Sequence, residues 1–380
     1  MKKYLNFILL IITISASAQK GNHLVIRGDV SKLKDHIEEV VLFYSNNNHS
    51  KDSCLVKDGK YMFEVEIAKP SVGILTFRTQ KGKDLSFEIA EKLRYRLYLQ
   101  PGEMTVTSRD SVSNTTVTGS KWNADFQEYQ QRQKKIAELL AAYQASMTKQ
   151  KAAGDTVKAA KLEANFQKYY DSLRIKNAVD FALSHRNSPI ALDALASGGG
   201  YPFNGEQIKP AFESLSPSIQ NSEDGKRLKE KIGNSLRIGI GKMAPDFVQP
   251  DTAGVAVSLS SFRGKYVLVD FWANWCVFCR GESPHMIKAF EKYKDRGFAI
   301  LSVSVDKKED RDKWLKAIRD DGTGRWAQVA DLKGNDNTAA RLYAVSGYPT
   351  SYLVDPDGKI IAMNLRGEEL INKLGELLDH

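Results

Sequence analysis

Two cysteines three residues apart carry the sharpest chemistry in this chain. Cys276 and Cys279 close the stretch Phe271-Trp272-Ala273-Asn274-Trp275-Cys276-Val277-Phe278-Cys279. The apolar run Tyr266-Val267-Leu268-Val269 comes just before it and reads as a buried strand. If a helix begins at Cys276, both sulfurs lie on its first turn and on one face. The first N–H groups of a helix have no intrahelical partner, and the dipole there favours negative charge. A thiol in that place ionises more easily, and the thiolate is the form that attacks a disulfide. The second sulfur is near enough to close a ring and expel whatever the first has captured. Cys276, at the cap, is therefore expected to be the exposed nucleophile, and Cys279 the shielded resolver. Asp270 ends the apolar strand and is expected beneath the cysteines. A buried carboxylate has a raised pKa and can pass a proton to or from Cys279. Bonding to loop amides is its alternative role. Trp272 and Trp275 would shape and cover the site, and Trp272 also suits ordinary core.

Zinc is the competing use of a C-x-x-C pair, and it needs four ligands. The chain has one other cysteine, Cys54, and its six histidines form no H-x3–5-H pair, so no metal is expected. Cys54 shares a strand face with Val56 and reads as a core thiol, with intermolecular disulfide formation as the alternative.

Three kinds of element must hold this pair. Met1 to Ala18 reads as a secretory leader: Lys2 and Lys3, an apolar Leu5 to Ile14, then Ala16-Ser17-Ala18 before Gln19. The apolar part is too short to span a bilayer. An uncleaved anchor is the alternative, and no cysteine follows the cleavage site to carry a lipid. The expected location is the periplasm, where disulfides persist and a dithiol enzyme needs a redox partner. The formal charge of +9 falls to +7 without Lys2 and Lys3, and the remaining basic residues are interspersed with acids. That is a solvated surface and not a nucleic-acid stripe.

Residues 19–119 read as an all-β, sandwich-like domain. Period-two stretches run Leu24 to Val30, Glu39 to Tyr44, Tyr61 to Ile67 and Ile74 to Thr79, with turns at Asp58-Gly59 and Pro101-Gly102. Residues 120–236 read as helical. Trp122, Phe126, Tyr129, Ile136, Leu140, Tyr143 and Met147 follow a four-three spacing, repeated at Leu162, Phe166, Tyr169 and Leu173 after Gly154-Asp155. This is the seam of a helical hairpin or of a coiled coil with a second copy, which would make a homodimer. Ser197-Gly198-Gly199-Gly200 and Pro202 interrupt the helices, and a further helical pattern runs from about Gly225 to Leu236. Residues 237–380 hold the cysteine pair on an α/β pattern and are expected to fold alone.

At these residues the chain resembles the thioredoxin superfamily, and more narrowly the TlpA/ResA-like thiol-disulfide oxidoreductases. Ala244-Pro245-Asp246-Phe247 resembles the family's opening strand, Leu259 to Lys265 its lead-in turn, and Gly347-Tyr348-Pro349-Thr350 its cis-proline loop. The resemblance implies a thioredoxin-like α/β fold with Pro349 cis. It implies that the backbone beside Pro349, with Trp275 and Tyr348, holds a client strand, and that Glu282 lies one turn after Cys279. Glu282 also suits a solvated helix face. Disulfide-containing protein clients and a membrane or periplasmic dithiol partner follow, with no bound cofactor. Val277-Phe278 departs from the family's inner pair, often Gly-Pro, and Tyr348 is bulkier than the usual residue before the proline; both alter redox potential and partner choice. Residues 19–119 resemble the DUF4369-type β domain found ahead of such modules.

Two other functions fit parts of the chain. A peroxiredoxin-like thiol peroxidase shares the fold, but its family pattern places a hydroxyl residue where Ala273 stands. A non-enzymatic periplasmic binding protein would use the β domain and helices and leave the intact cysteine pair unexplained.

Overall fold

The computed structural model describes residues 22–44, 51–79 and 92–379. The expected leader lies outside them. The chain divides into two compact units between Glu128 and Tyr129.

The first unit is built on β1 (His23–Leu33), β2 (Glu39–Phe43), β3 (Lys51–Leu55), β4 (Lys60–Glu66), β5 (Ser71–Arg78), β6 (Arg94–Leu99) and β7 (Gly102–Thr118). They form a three-stranded sheet, β4-β1-β7, and a four-stranded sheet, β3-β2-β5-β6. Strict alternation is clearest in β4, where Tyr61, Phe63 and Val65 are buried and their neighbours exposed. Residues of both sheets close one core around Leu24, Ile26, Leu42, Phe63, Phe77 and Leu97. Asp58 and Gly59 have φ of 50° and 72°, the left-handed pair that a two-residue hairpin needs. Lys57 and Lys60 exchange both backbone hydrogen bonds across that turn, at 2.9 Å each. A Cβ on Gly59 would lie 2.5 Å from the Ser31 Cβ, so only glycine fits. Cys54 is half-buried against the core, unpaired by disulfide, and its thiol donates to Leu55 O.

The second unit begins within α1 (Asn123–Ala152), which forms a helical hairpin with α2 (Thr156–Ser184). Gly154, at φ 76°, turns the chain, and Asp155 caps α2 by accepting from the Lys158 N–H. Tyr143 stacks on Tyr169 at 4.9 Å and donates its hydroxyl to Leu162 O. At this level the two helices meet within the chain as a hairpin, the first of the two expected arrangements. Shorter helices follow: α3 (Pro189–Gly198), α4 (Gly205–Glu213), α5 (Pro217–Gln220) and α6 (Glu223–Ser235). The glycine run after Ser197 breaks the chain at Gly199 and Gly200, before a cis Tyr201–Pro202 bond.

The remainder of this unit opens on a short β8 (Val248–Pro250) and β9 (Ala256–Ser258) ribbon. The opening strand expected at Ala244 to Phe247 is displaced to β8. Pro245 has no N–H for a ladder, and its carbonyl instead accepts from the Tyr343 hydroxyl. The main elements are β10 (Tyr266–Trp272), α7 (Val277–Tyr293), β11 (Phe298–Ser304), α8 (Arg311–Asp320), β12 (Ala327–Val329), α9 (Thr338–Leu342), β13 (Thr350–Val354), β14 (Ile360–Met363) and α10 (Glu368–Leu378). The sheet order is β12-β11-β10-β13-β14. β10 and β11 run parallel, β13 runs antiparallel to β10, and β14 runs antiparallel to β13. This is the thioredoxin-like arrangement that the resemblance implied. β10 and β11 are buried almost throughout, because helices cover both faces. Alternation puts Val267, Val269 and Phe271 in one core with Trp314 and Tyr343, and Leu268 in the other with Met286, Tyr293 and Leu374. Asp270 shares the parity of Leu268 and so belongs to the face under α7.

Candidate active site

The site starts where β10 leaves the sheet. The Val305 N–H donates to Trp272 O, and the Cys276 N–H reaches back to Ala273 O, closing a tight corner. Asp306 locks that corner. Its buried carboxylate accepts from the Asn274 N–H (3.1 Å), from the Asn274 side-chain amide, and from the Ser304 hydroxyl (2.7 Å). Asn274 is thereby fixed one residue before Trp275, and α7 begins in a set direction.

Cys276 is the N-cap of α7, with φ −83° and ψ 95°, and its sulfur accepts from the Cys279 N–H at 3.2 Å. A sulfur standing where Ser or Asp usually caps a helix receives an N–H that has no intrahelical acceptor. That contact favours the thiolate over the thiol. Cys276 and Cys279 are joined as a disulfide. Both are only 6% exposed, so the expected contrast between an exposed Cys276 and a shielded Cys279 is absent in this form. Bonded sulfurs sit together in one buried cluster, with Tyr348 packed against it. The rim is apolar and open: Trp275 is 57% exposed, Val277 79% and Phe278 81%.

The second wall is the loop before β13. The Tyr348–Pro349 bond is cis. Tyr348 meets Trp275 edge to face, ring centroids 5.9 Å apart, so this loop and the cysteine corner are neighbours. Burial raises the Tyr348 phenol to about 12.

Asp270 is buried in β10 on the face under α7, and its carboxyl is raised to about 7. Burial is the main cause, and the nearby Glu282 carboxylate adds to it. Arg366 and a hydrogen bond from Ser302 oppose the rise. Glu282, one turn into α7, is half-buried and accepts from the Gly367 N–H at 2.9 Å, so it is not simply a solvated helix residue. Pro284 lies inside the same helix. Among the described residues no cluster of His, Cys, Asp and Glu is arranged to hold a metal ion.

Three residues at this place escape a reading of the sequence. Arg366 donates to Pro349 O and to the Ser351 hydroxyl (2.9 Å), tying the segment between β14 and α10 to the proline loop. Asp306 is one acid among many until β11 brings it under Asn274. Tyr201, from the glycine break before α4, lies with its hydroxyl 3.2 Å from Thr350 Oγ1. Only its position beside a glycine run and a proline marked it.

Comparisons with known proteins divide the chain in a corresponding way. The AhpC/TSA family matches residues 240–363, and a domain of unknown function, DUF4369, matches residues 24–126. Thiol-disulfide oxidoreductase ResA of Bacillus thuringiensis subsp. konkukian (strain 97-27) is 34% identical over 142 residues, spanning 37% of this chain and 78% of that protein. Thioredoxin-like protein YneN of Bacillus subtilis (strain 168) is 36% identical over 132 residues, 35% of this chain and 72% of that protein. Among solved structures, the thioredoxin domain of a thiol-disulfide oxidoreductase from Bacteroides vulgatus is 41% identical. It covers 37% of this chain and 99% of that one, with a TM-score of 0.35.

Proposed function

Since this chain belongs to the ResA-type thiol-disulfide oxidoreductases, we propose that Cys276 and Cys279 are its exchanging pair and that it works on disulfide-bonded proteins after export. The observation that carries this reading is the N–H of Cys279 directed at the sulfur of Cys276 across a helix cap. In the reducing direction, the Cys276 thiolate attacks one sulfur of a client disulfide. A mixed disulfide forms, and the other client sulfur leaves as a thiolate. Cys279 then loses its proton and attacks Cys276 Sγ. The first client sulfur leaves, and the enzyme holds a disulfide. Two electrons pass from enzyme to client, and the two client thiolates take up two protons. The oxidising direction is the reverse of these steps.

Asp270 is suited to take the Cys279 proton, because its carboxyl titrates near neutral pH. Glu282 modulates it through charge. The exposed Trp275, Val277 and Phe278 suit a client whose disulfide is flanked by apolar residues, and the backbone beside Pro349 suits an extended client strand. Export rests on the leader read at Met1 to Ala18. Among the described residues no helix is long and apolar enough to cross a membrane. In an oxidising compartment a second redox protein would reset the pair.

The test is trapping. The Cys279→Ser protein should accumulate a mixed disulfide with client through Cys276, and Cys276→Ser should not. If alkylation of the reduced protein at neutral pH modified Cys279 before Cys276, the assignment of roles would be wrong. Fractionation of cells producing the full chain should recover it outside the cytoplasm, shortened at its start.

A further inference from the structure

We propose that Tyr201, supplied by the helical segment upstream of the redox fold, is a positioning residue for the cis-proline loop and so sets how tightly a protein client is held. The inference rests on the exchange function proposed above and on that loop's being the client-binding edge.

The contacts converge on one short loop. The Tyr201 ring lies against Gly347, where a Cβ would stand 3.5 Å from the ring carbons. Its hydroxyl is 3.2 Å from Thr350 Oγ1, which also donates to Gly347 O at 2.7 Å. Gly200 O accepts from the Ser346 hydroxyl at 3.2 Å. Arg366 spans Pro349 O and the Tyr201 hydroxyl, the latter at 3.5 Å. Residues 346 to 350 are thus held on both sides of the cis bond by Gly200, Tyr201 and Arg366.

The anchor is itself fixed. Asn234, at the end of α6, donates to Arg341 O at 2.9 Å, and Arg227 pairs with Asp336 at 2.9 Å. These contacts tie the helical segment to α9 and the turn before it, immediately ahead of the proline loop in the chain. A loop that binds extended backbone works best when it is already in its binding shape, since ordering it on binding would weaken affinity. The redox fold by itself lacks this brace. Tyr201 lies outside residues 240–363, the part matched by the AhpC/TSA family. The brace is therefore a property of this longer chain and sets client affinity rather than the sulfur chemistry.

The experiment uses the full chain. Wild type, Tyr201→Phe, Thr350→Val and the double variant are each assayed for reduction of insulin with excess dithiothreitol to re-reduce the Cys276–Cys279 disulfide, the uncatalysed rate is subtracted, and KM and kcat are determined. The phenylalanine keeps the ring on Gly347 and removes only the hydroxyl. Tyr201→Phe should raise KM roughly three- to tenfold, the worth of one hydrogen bond, with a much smaller effect on kcat. Thr350→Val should cost less in the Tyr201→Phe background than in wild type, because the partner is already gone. Strict additivity, or a KM for Tyr201→Phe within a factor of two of wild type, would overturn the inference while leaving the exchange function standing. A wild-type protein that does not reduce insulin at all, through either cysteine, would instead remove the function on which it rests.

Discussion

Asp270 is held neutral by burial until pH approaches about 7, far above the ordinary carboxylate range. The pH dependence follows from that sign. A raised carboxyl pKa contributes stability that is full below the usual value of 3.8 and is lost as pH climbs through about 7. Asp270→Asn stays neutral throughout. Between pH 5 and pH 8 it should therefore lose less unfolding free energy than wild type, a difference on the order of a few kcal/mol, read as a smaller fall in melting temperature. The same substitution should slow release of the mixed disulfide by at least about tenfold at neutral pH, measured by quenched single-turnover exchange. Neighbouring charges give the direction of smaller changes. Removing the Glu282 charge with Gln should move the inflection of the pH–rate profile down, because Glu282 pushes the Asp270 carboxyl up. Arg366→Gln should move it up, because Arg366 holds that carboxyl down. Unchanged profiles in both variants would assign these residues to structure alone.

At the scale of elements, one strand and one helix do most of the positioning. β10 brings Asp270 under the site and ends in the corner that launches α7. Phe271 is fully buried and packs on Tyr343 at 5.4 Å and Tyr352 at 6.2 Å. Phe271→Ala should cost about 3–5 kcal/mol, read as a lower urea midpoint with little change in slope. The first turn of α7 has the opposite character. Val277 and Phe278 are held out to solvent by their places on the helix, although both are apolar. Phe278→Ser should leave stability within about 0.5 kcal/mol. It should weaken capture of a protein client by roughly tenfold, as loss of an apolar contact residue does. A client affinity unchanged by Phe278→Ser would mean that this rim does not touch the client.

Over the whole molecule, the division between Glu128 and Tyr129 groups the helices with the redox fold. Calorimetry of the full chain should resolve two transitions. Phe271→Ala should lower one of them by several degrees and leave the other in place, since the two cores are separate clusters. A single transition shifted as a whole would mean that the units unfold together. The helical segment also enters the redox site through Tyr201. A chain starting near Ile238 keeps both cysteines and Pro349 but loses that brace, along with the Arg227–Asp336 and Glu230–Arg341 pairs. Residues 237–380, complete in the motifs that their sequence displays, are incomplete in the contacts that shape their proline loop.

What could be read from the sequence was whatever local spacing dictates. Two cysteines three apart after an apolar strand, Asp-Gly at a hairpin, and alternating or four-three apolar periods each express geometry within a few residues, and the β sandwich, helical hairpin and thioredoxin-like sheet follow them. The long-range pairings carry no such local mark. Asp306 under Asn274, Arg366 on Pro349 O, Gly367 beside Glu282 and Tyr201 on the proline loop join residues 17 to 149 positions apart. An arginine, an aspartate or a tyrosine in a polar stretch has many partners open to it. Only the sheet order β12-β11-β10-β13-β14 and the packing of the helices onto it select one. The same holds for Asp270, whose type and place in the strand suggested a proton carrier. Its balance of burial, Glu282 and Arg366 depends on three elements meeting, and that balance is a property of the folded molecule.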